Sequence, residues 1–401
     1  MTANDIYASL GVKRRINAAG TLTRLGGALM APEVIAAMAA AARASVDIAE
    51  LQAAASRTIA RITGAEAALV TTGAAAALTL GTAAAMTRWD VAKMAALPHA
   101  EAFAHEVIIP RTHRTGYAHA FAAAGARLID IGHNDRGTGA GVRGLEAWEI
   151  EAAITPRTAA FAFAANIESV KDLPTVVAVC RERGIPVIVD AAAQLPPKGN
   201  LTRFIELGAD LVAFSGGKAI GGPQASGILA GRRDLIGAAL VQQIDMDVAP
   251  ETWSPPELID RAKLTGVPHH GLGRGFKAGK EEIVGLLAAL ERFVSADDAA
   301  TNSALEKRLQ AIAAALQGAR GVATRIVPAS VTGRVPVIEV AIDPGAAGCS
   351  AIELSGRLQK GDPPVHLSER FTARGVLTVD PQVLQPEDDA ALAAAIRRAL
   401  G

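Results

Sequence analysis

Short apolar runs alternate along the chain with longer stretches of helical spacing or composition. The runs at Ala67–Thr71, 107–109, Arg127–Ile131, 159–164, 186–190, 211–214 and 227–230 have the length of buried strands. Between them, 74–86, 116–123, 144–153, 175–183 and 201–207 are predicted helices. Strand–helix alternation of this kind predicts a mostly parallel sheet, here of seven strands, covered by helices on both faces. In such a sheet a ligand sits beyond the carboxyl ends of the strands. Thr72, Asp190 and Ser215 fall at or just after such ends.

The pattern changes after about residue 250. Ala249-Pro250, Ser254-Pro255-Pro256 and the glycine-rich stretch 266–279 read as loop. A long helix is expected over Lys280–Ser295, then a helix at 304–316, strands at 325–327 and 335–342, a helix at 350–358 and a strand at Val376–Val379. The fold class expected is α/β, with a smaller α+β unit at the C-terminal end. Its expected divisions are an arm and helix over 1–45, a large domain over 46–279 and a small domain over 280–401. Pro32 is a usual first-turn residue for the helix of the arm.

Composition narrows the function classes. A chain of 401 residues with 50% hydrophobic and 20% charged positions is folded, and long enough for two or three domains. Lys+Arg and Asp+Glu both number 40, which argues against wholesale binding to nucleic acid or to an anionic membrane. Cys180 and Cys349 lie in no metal-ligand spacing and suit a reducing cytoplasm; no metal site is expected. The first residues show no secretory pattern. Residues 67–87 carry no charge and are long enough to span a bilayer, but Thr71-Thr72-Gly73 interrupts them. A strand, a glycine turn and a buried helix explain the stretch better.

Four elements carry candidate chemistry. Lys218 lies in Ser215-Gly216-Gly217-Lys218, directly after an apolar strand. A lysine held in a low-dielectric pocket loses basicity and becomes a good amine nucleophile. The alternative is a loop lysine that binds a phosphate or a carboxylate. Asp190 ends the apolar run 185–189 and so closes a buried strand at the ligand edge, where a carboxylate can pair with a protonated ring nitrogen of a cofactor; the alternative is a helix cap. Thr71-Thr72-Gly73-Ala74 opens a helix after a strand, where free backbone N–H groups suit a phosphate. His113 follows another strand end, where an imidazole stacks on a ring or simply faces solvent.

Together these segments resemble the fold-type I pyridoxal-phosphate enzymes. The resemblance is to the branch that holds bacterial selenocysteine synthase and the D-glucosaminate-6-phosphate ammonia-lyases. It covers nearly the whole chain and includes Asn17-Ala18-Ala19-Gly20-Thr21 and Asp190-Ala191-Ala192-Ala193-Gln194. Its most specific piece is Ser215-Gly216-Gly217-Lys218 with Gly221-Gly222-Pro223-Gln224. The resemblance implies Lys218 as the Schiff-base lysine and Asp190 as the partner of the pyridine nitrogen. It implies Thr72, Gly73, Ala74 and Ser215 around the phosphate, and His113 and Ala192 on the two ring faces. Gln194 lies one residue farther from the aspartate than the glutamine of cysteine desulfurase-like relatives. For the substrate, Arg370, Arg374, Arg111 and Arg274 are the candidate cations, because arginine clamps a carboxylate bidentately.

The activity implied is elimination and deamination of a β-hydroxy amino acid, such as a sugar-derived one, to a 2-oxo acid and ammonia. Racemisation and aldol cleavage pass through the same carbanion and stand as alternatives. Selenium transfer onto seryl-tRNA fits poorly with zero net charge and no separate basic domain. A pyridoxal-phosphate-binding protein without turnover is the non-enzymatic alternative. The fold type implies a homodimer or a larger assembly.

Overall fold

The computed structural model describes residues 3–133 and 144–401. Two compact units emerge, one of residues 30–294 and one of residues 1–29 with 295–401. Strands are numbered in chain order: β1 Ile16–Ala18, β2 Ala67–Thr71, β3 Glu106–Pro110, β4 Arg127–Ile131, β5 Thr158–Ala164, β6 Val187–Asp190, β7 Leu211–Ser215, β8 Gly227–Gly231, β9 Val322–Val327, β10 Val337–Ile342, β11 Val365–Leu367 and β12 Val376–Val379.

The unit of residues 30–294 is built on a seven-stranded sheet in the order β2-β8-β7-β6-β5-β3-β4. β8 runs antiparallel to both neighbours and the other pairings are parallel. All seven expected strands are present in it. Period-two alternation sorts their side chains onto two faces. Ala160, Ala162, Leu211, Ala213 and Leu69 enter one core. Phe161, Phe163, Val212, Phe214 and Val70 enter the other. The alanine-lined face is the one that receives the alanine-rich helix Ala74–Thr87, buried from Ala76 to Thr87. Its threonines are accommodated because Thr79, Thr82 and Thr87 donate to carbonyls one turn back, at 3.1, 2.7 and 2.8 Å. That burial accounts for the uncharged stretch. Among the described residues no helix is long and apolar enough to cross a membrane.

β2 is an edge strand, and the helix Ile48–Thr63 seals it. The Gln52 amide donates to the Val70 carbonyl at 2.8 Å and accepts from the Val70 N–H at 3.0 Å. The Ser56 hydroxyl accepts from the Ala68 N–H at 2.8 Å. Buried backbone groups are thereby satisfied without another strand.

The other unit holds the antiparallel sheet β12-β10-β9 and a parallel pair of β1 with β11. Helices Asp298–Leu316, Ala351–Lys360 and Asp389–Leu400 contribute to its core with Ile338, Val340, Leu377 and Val379.

These boundaries differ from the expected divisions at 45 and 279. The helices Pro32–Ala41 and Lys280–Ser295 both belong with the large sheet. Val34 shares a core with Ile283, Leu286 and Leu290, and Arg292 pairs with Glu33 at 2.8 Å. A Cβ on Gly285 would lie 2.6 Å from Met38 Cγ, so the two helices pack at glycine distance. Conversely, Ile16–Ala18 is a strand rather than part of an arm, because its hydrogen-bonding partner Val365–Leu367 lies at the far end of the chain. Three-residue strands carry too little periodicity to be read locally.

Candidate functional site

Thr71, Ser215 and Asp190 end strands β2, β7 and β6, and sheet register places those ends along one edge. Thr71 pairs with Gly227 and Gly227 with Ser215. Asp190 pairs with Ala213 on one side and with Ala164 on the other. The carboxyl ends of β2, β7, β6 and β5 therefore form one rim.

At one end of the rim, Gly73 (φ 139°) turns the chain from β2 into the helix Ala74–Thr87. The close neighbour is Gly227: a Cβ there would lie 2.3 Å from the Gly73 carbonyl carbon and 2.6 Å from the Ala74 nitrogen. Only glycine lets β8 pass this turn. Thr72 is anchored on the Phe276 carbonyl, which accepts from its N–H at 3.2 Å, from its hydroxyl at 3.4 Å and from the Gln243 amide at 2.9 Å.

The Lys218 loop is held from both sides. The Gly216 N–H donates to the Ser226 carbonyl, and Gly222 N–H donates to the Gly216 carbonyl, both at 2.9 Å. The buried Ser226 hydroxyl donates to the Pro223 carbonyl at 2.6 Å. A Cβ on Gly217 would come within 2.5 Å of Gln224 Cα, so the double glycine is a packing requirement. Gln52, Gln243 and Ser226 position this rim and were not singled out from the sequence. Their signal was only a polar residue inside an apolar stretch.

Asp190 accepts from the Ala192 N–H at 3.0 Å. Burial raises its carboxyl above the ordinary range, opposed by that N–H and by the Lys218 charge. The ordering places a carboxyl and an amine in electrostatic contact in a dry setting.

His113 is buried, and its Nδ1 accepts from the Ala164 N–H at 3.2 Å. The ring proton therefore sits on Nε2. Phe163 meets the imidazole edge-on, with centroids 4.6 Å apart and planes at 86°. Burial lowers the His113 pKa from 6.5 to about 4, so the ring is neutral near pH 7. The surface alternative from the sequence is overturned: the ring turns inward from its short helical turn, away from the flanking arginines.

Gln194 follows Asp190 in a turn, its N–H on the Ala191 carbonyl and its own carbonyl accepting from Asn200 at 2.7 Å. Arg111 is exposed, and Arg114 pairs with Asp130 at 2.9 Å. Arg274 is held by Asp245, which His270 also approaches at 3.5 Å. Its charge is thus already matched by a carboxylate. Arg370 and Arg374 lie in the other unit, with guanidinium carbons 5.6 and 5.2 Å from the Phe371 ring centroid. The same unit holds Asp380, which accepts from the Gln382 N–H at 3.0 Å and feels the charge of Arg334. Burial raises the Asp380 carboxyl, and a Cβ on Gly20 would touch its Oδ2 at 2.6 Å. Asp380 ends an apolar strand just as Asp190 does, a signal the sequence carried.

A parallel-rich sheet with a lysine loop, a strand-end aspartate and a strand–glycine–helix turn on one rim defines the fold-type I class of pyridoxal-phosphate enzymes. The chain belongs to the class-V aminotransferase family, whose model matches residues 117–345. It is 30% identical to the D-glucosaminate-6-phosphate ammonia lyase of Salmonella typhimurium, over 99% of this chain and 98% of that protein. It is also 30% identical to a 5'-C-glycyluridine monooxygenase-decarboxylase of Streptomyces, over 96% of this chain and 89% of that one. A solved structure of a D-glucosaminate-6-phosphate ammonia-lyase superposes with a TM-score of 0.81, covering 100% of this chain and 99% of the other at 30% identity.

Proposed function

We propose that the protein is a pyridoxal-phosphate-dependent lyase. It converts a β-hydroxy amino acid of the sugar-acid class, such as D-glucosaminate 6-phosphate, to a 2-oxo acid and ammonia. The observation that carries the reading is the Asp190–Lys218 pair on the rim. A carboxyl kept above its usual range by burial fits a partner that brings its own positive N–H, which the pyridine nitrogen of the cofactor does.

In this reading Lys218 is the point of covalent attachment. Thr72, Gly73, Ala74 and Ser215 would hold the phosphate, at the turn against which Gly227 packs. His113 and Ala192 would contact the ring, with Gln194 as a further candidate. When bound, the cofactor supplies an electron sink for negative charge at Cα. Asp190 keeps the ring nitrogen protonated. The Lys218 amine holds the proton taken from Cα and can return it. Neutral His113 presents Nε2–H as a donor and adds no charge to the site. Loss of the Cα proton and the Cβ hydroxyl removes one water, and hydrolysis of the resulting imine restores it, so substrate equals 2-oxo acid plus ammonia. Arg370 or Arg374 binds the substrate carboxylate, with Arg111 and Arg274 as the remaining candidates. The enzyme works as a homodimer in the cytoplasm, and its domains follow the two units.

The test is the absorbance spectrum with and without borohydride, followed by peptide mapping and assay of D-glucosaminate 6-phosphate for 2-oxo acid and ammonia. A visible band trapped on Lys218, with equal yields of both products, is the expected result. Trapping on another lysine, or no band after cofactor addition, would overturn the assignment. The Streptomyces relative supports a second reading, oxidative decarboxylation of a related amino acid. Oxygen consumption with carbon dioxide release in place of ammonia would select it.

A further inference from the structure

The turn after β1 and the residue before it converge on one imidazole. His366 lies in β11, opposite Asn17 of β1, and is 4% exposed. Arg15 directly precedes β1, and its Nη1 lies 3.5 Å from His366 Nε2. Arg24 lies in the short helix Thr23–Leu25 after β1, and its Nη1 lies 3.5 Å from His366 Nδ1. A neutral imidazole has one donor nitrogen and one acceptor, whereas a guanidinium only donates. One arginine therefore meets an acceptor and the other meets an N–H. That donor–donor face lacks an acceptor.

Charge is unbalanced in the same place. Among the described residues neither Arg15 nor Arg24 is in a salt bridge, whereas the adjacent Arg14 is paired with Asp388 at 2.6 Å. The carboxylate that His366 feels is Glu369, whose Oε1 is already taken by Ser355 and Gln359 at 2.6 and 2.7 Å. Burial and the two arginines hold the His366 pKa below its usual value, with Glu369 opposing.

We propose that Arg15, Arg24 and His366 form a binding site for a phosphate monoester. A dianionic tetrahedral group supplies the missing acceptors and matches two guanidinium charges, each able to bind it bidentately. Its source is a phosphorylated small molecule or free inorganic phosphate, and neither choice depends on the lyase reading above.

The experiment is calorimetric titration of the cofactor-loaded protein with inorganic phosphate, glucose 6-phosphate and acetate. R15Q and R24Q are the variants, with the exposed Arg43→Gln as control. Both test arginines are exposed, so the substitutions leave the core intact. Phosphate and glucose 6-phosphate are expected to bind, acetate far more weakly. Each test variant should lose roughly tenfold or more in phosphate affinity while the control stays unchanged. No phosphate binding by the parent protein, or equal affinity in R15Q and R24Q, would overturn the proposal. The same titration separates the sources: tighter binding of glucose 6-phosphate than of inorganic phosphate assigns the site to a phosphate ester, and tighter binding of inorganic phosphate assigns it to the free ion.

Discussion

Asp190 and His113 are both perturbed by burial, and in opposite senses for folding. The folded His113 binds its proton less tightly than the unfolded ring, so its contribution to stability is present above pH 6.5 and is lost as pH falls toward about 4. The span corresponds to on the order of 3 kcal/mol. Urea unfolding of the parent and of H113F across that window should show the difference between them shrinking as pH falls. A constant difference would remove the buried neutral imidazole from the account. The folded Asp190 carboxyl instead binds its proton more tightly than the unfolded one. Its contribution to the stability of the cofactor-free protein is therefore fully present below the ordinary carboxylate range and is lost as pH rises through the folded-state value. D190N should abolish that decline and, in the loaded protein, suppress turnover while leaving the covalent link to Lys218 in place. Lys218→Ala is the complementary variant: it should keep the fold and lose the visible band and the activity together.

Two backbone details govern the elements around the rim. Gly227 lies against Gly73 and Ala74 at distances no Cβ tolerates. Gly227→Ala should thus weaken cofactor retention at least tenfold by displacing the turn proposed to hold the phosphate, read by dialysis against buffer and measurement of residual cofactor absorbance. Unchanged retention would mean that the turn is not the phosphate site. Gln52 does a different task, closing the outer edge of β2 through both polar groups of Val70. Gln52→Leu keeps the volume and strands a buried N–H and C=O, an expected loss of about 2–4 kcal/mol in chemical denaturation. The strands themselves were legible in the sequence because Thr158–Ala164 and Leu211–Ser215 are apolar on both faces. The helix Arg233–Gln243 was not, since it is buried almost all round and shows little amphipathic period.

At the scale of the whole molecule, the first 29 residues fold with the last hundred or so rather than with their neighbours in sequence. β1 pairs with β11, Arg14 reaches Asp388, and the Asp380 N–H donates to the Ala18 carbonyl at 2.9 Å. Deleting residues 1–21 should lower the melting temperature of the unit containing Val365–Leu367 and expose its core to proteolysis. A truncated chain as resistant as the parent would show that β1 is dispensable.

The order of apolar runs, the double glycine before Lys218 and the aspartate closing a buried strand determined the large sheet and most of the candidate rim. These are local signals: burial on both strand faces demands unbroken apolar runs, and a tight turn demands glycine. Tertiary structure alone decided that His113 turns inward as a neutral Nε2–H tautomer, because the Ala164 N–H that sets it comes from another strand. It alone drew the unit boundaries, brought Arg15 and Arg24 to His366, and matched Arg274 with Asp245. Each of those depends on partners far apart in the chain, and hydrophobic period carries no record of which distant residue a polar group will meet.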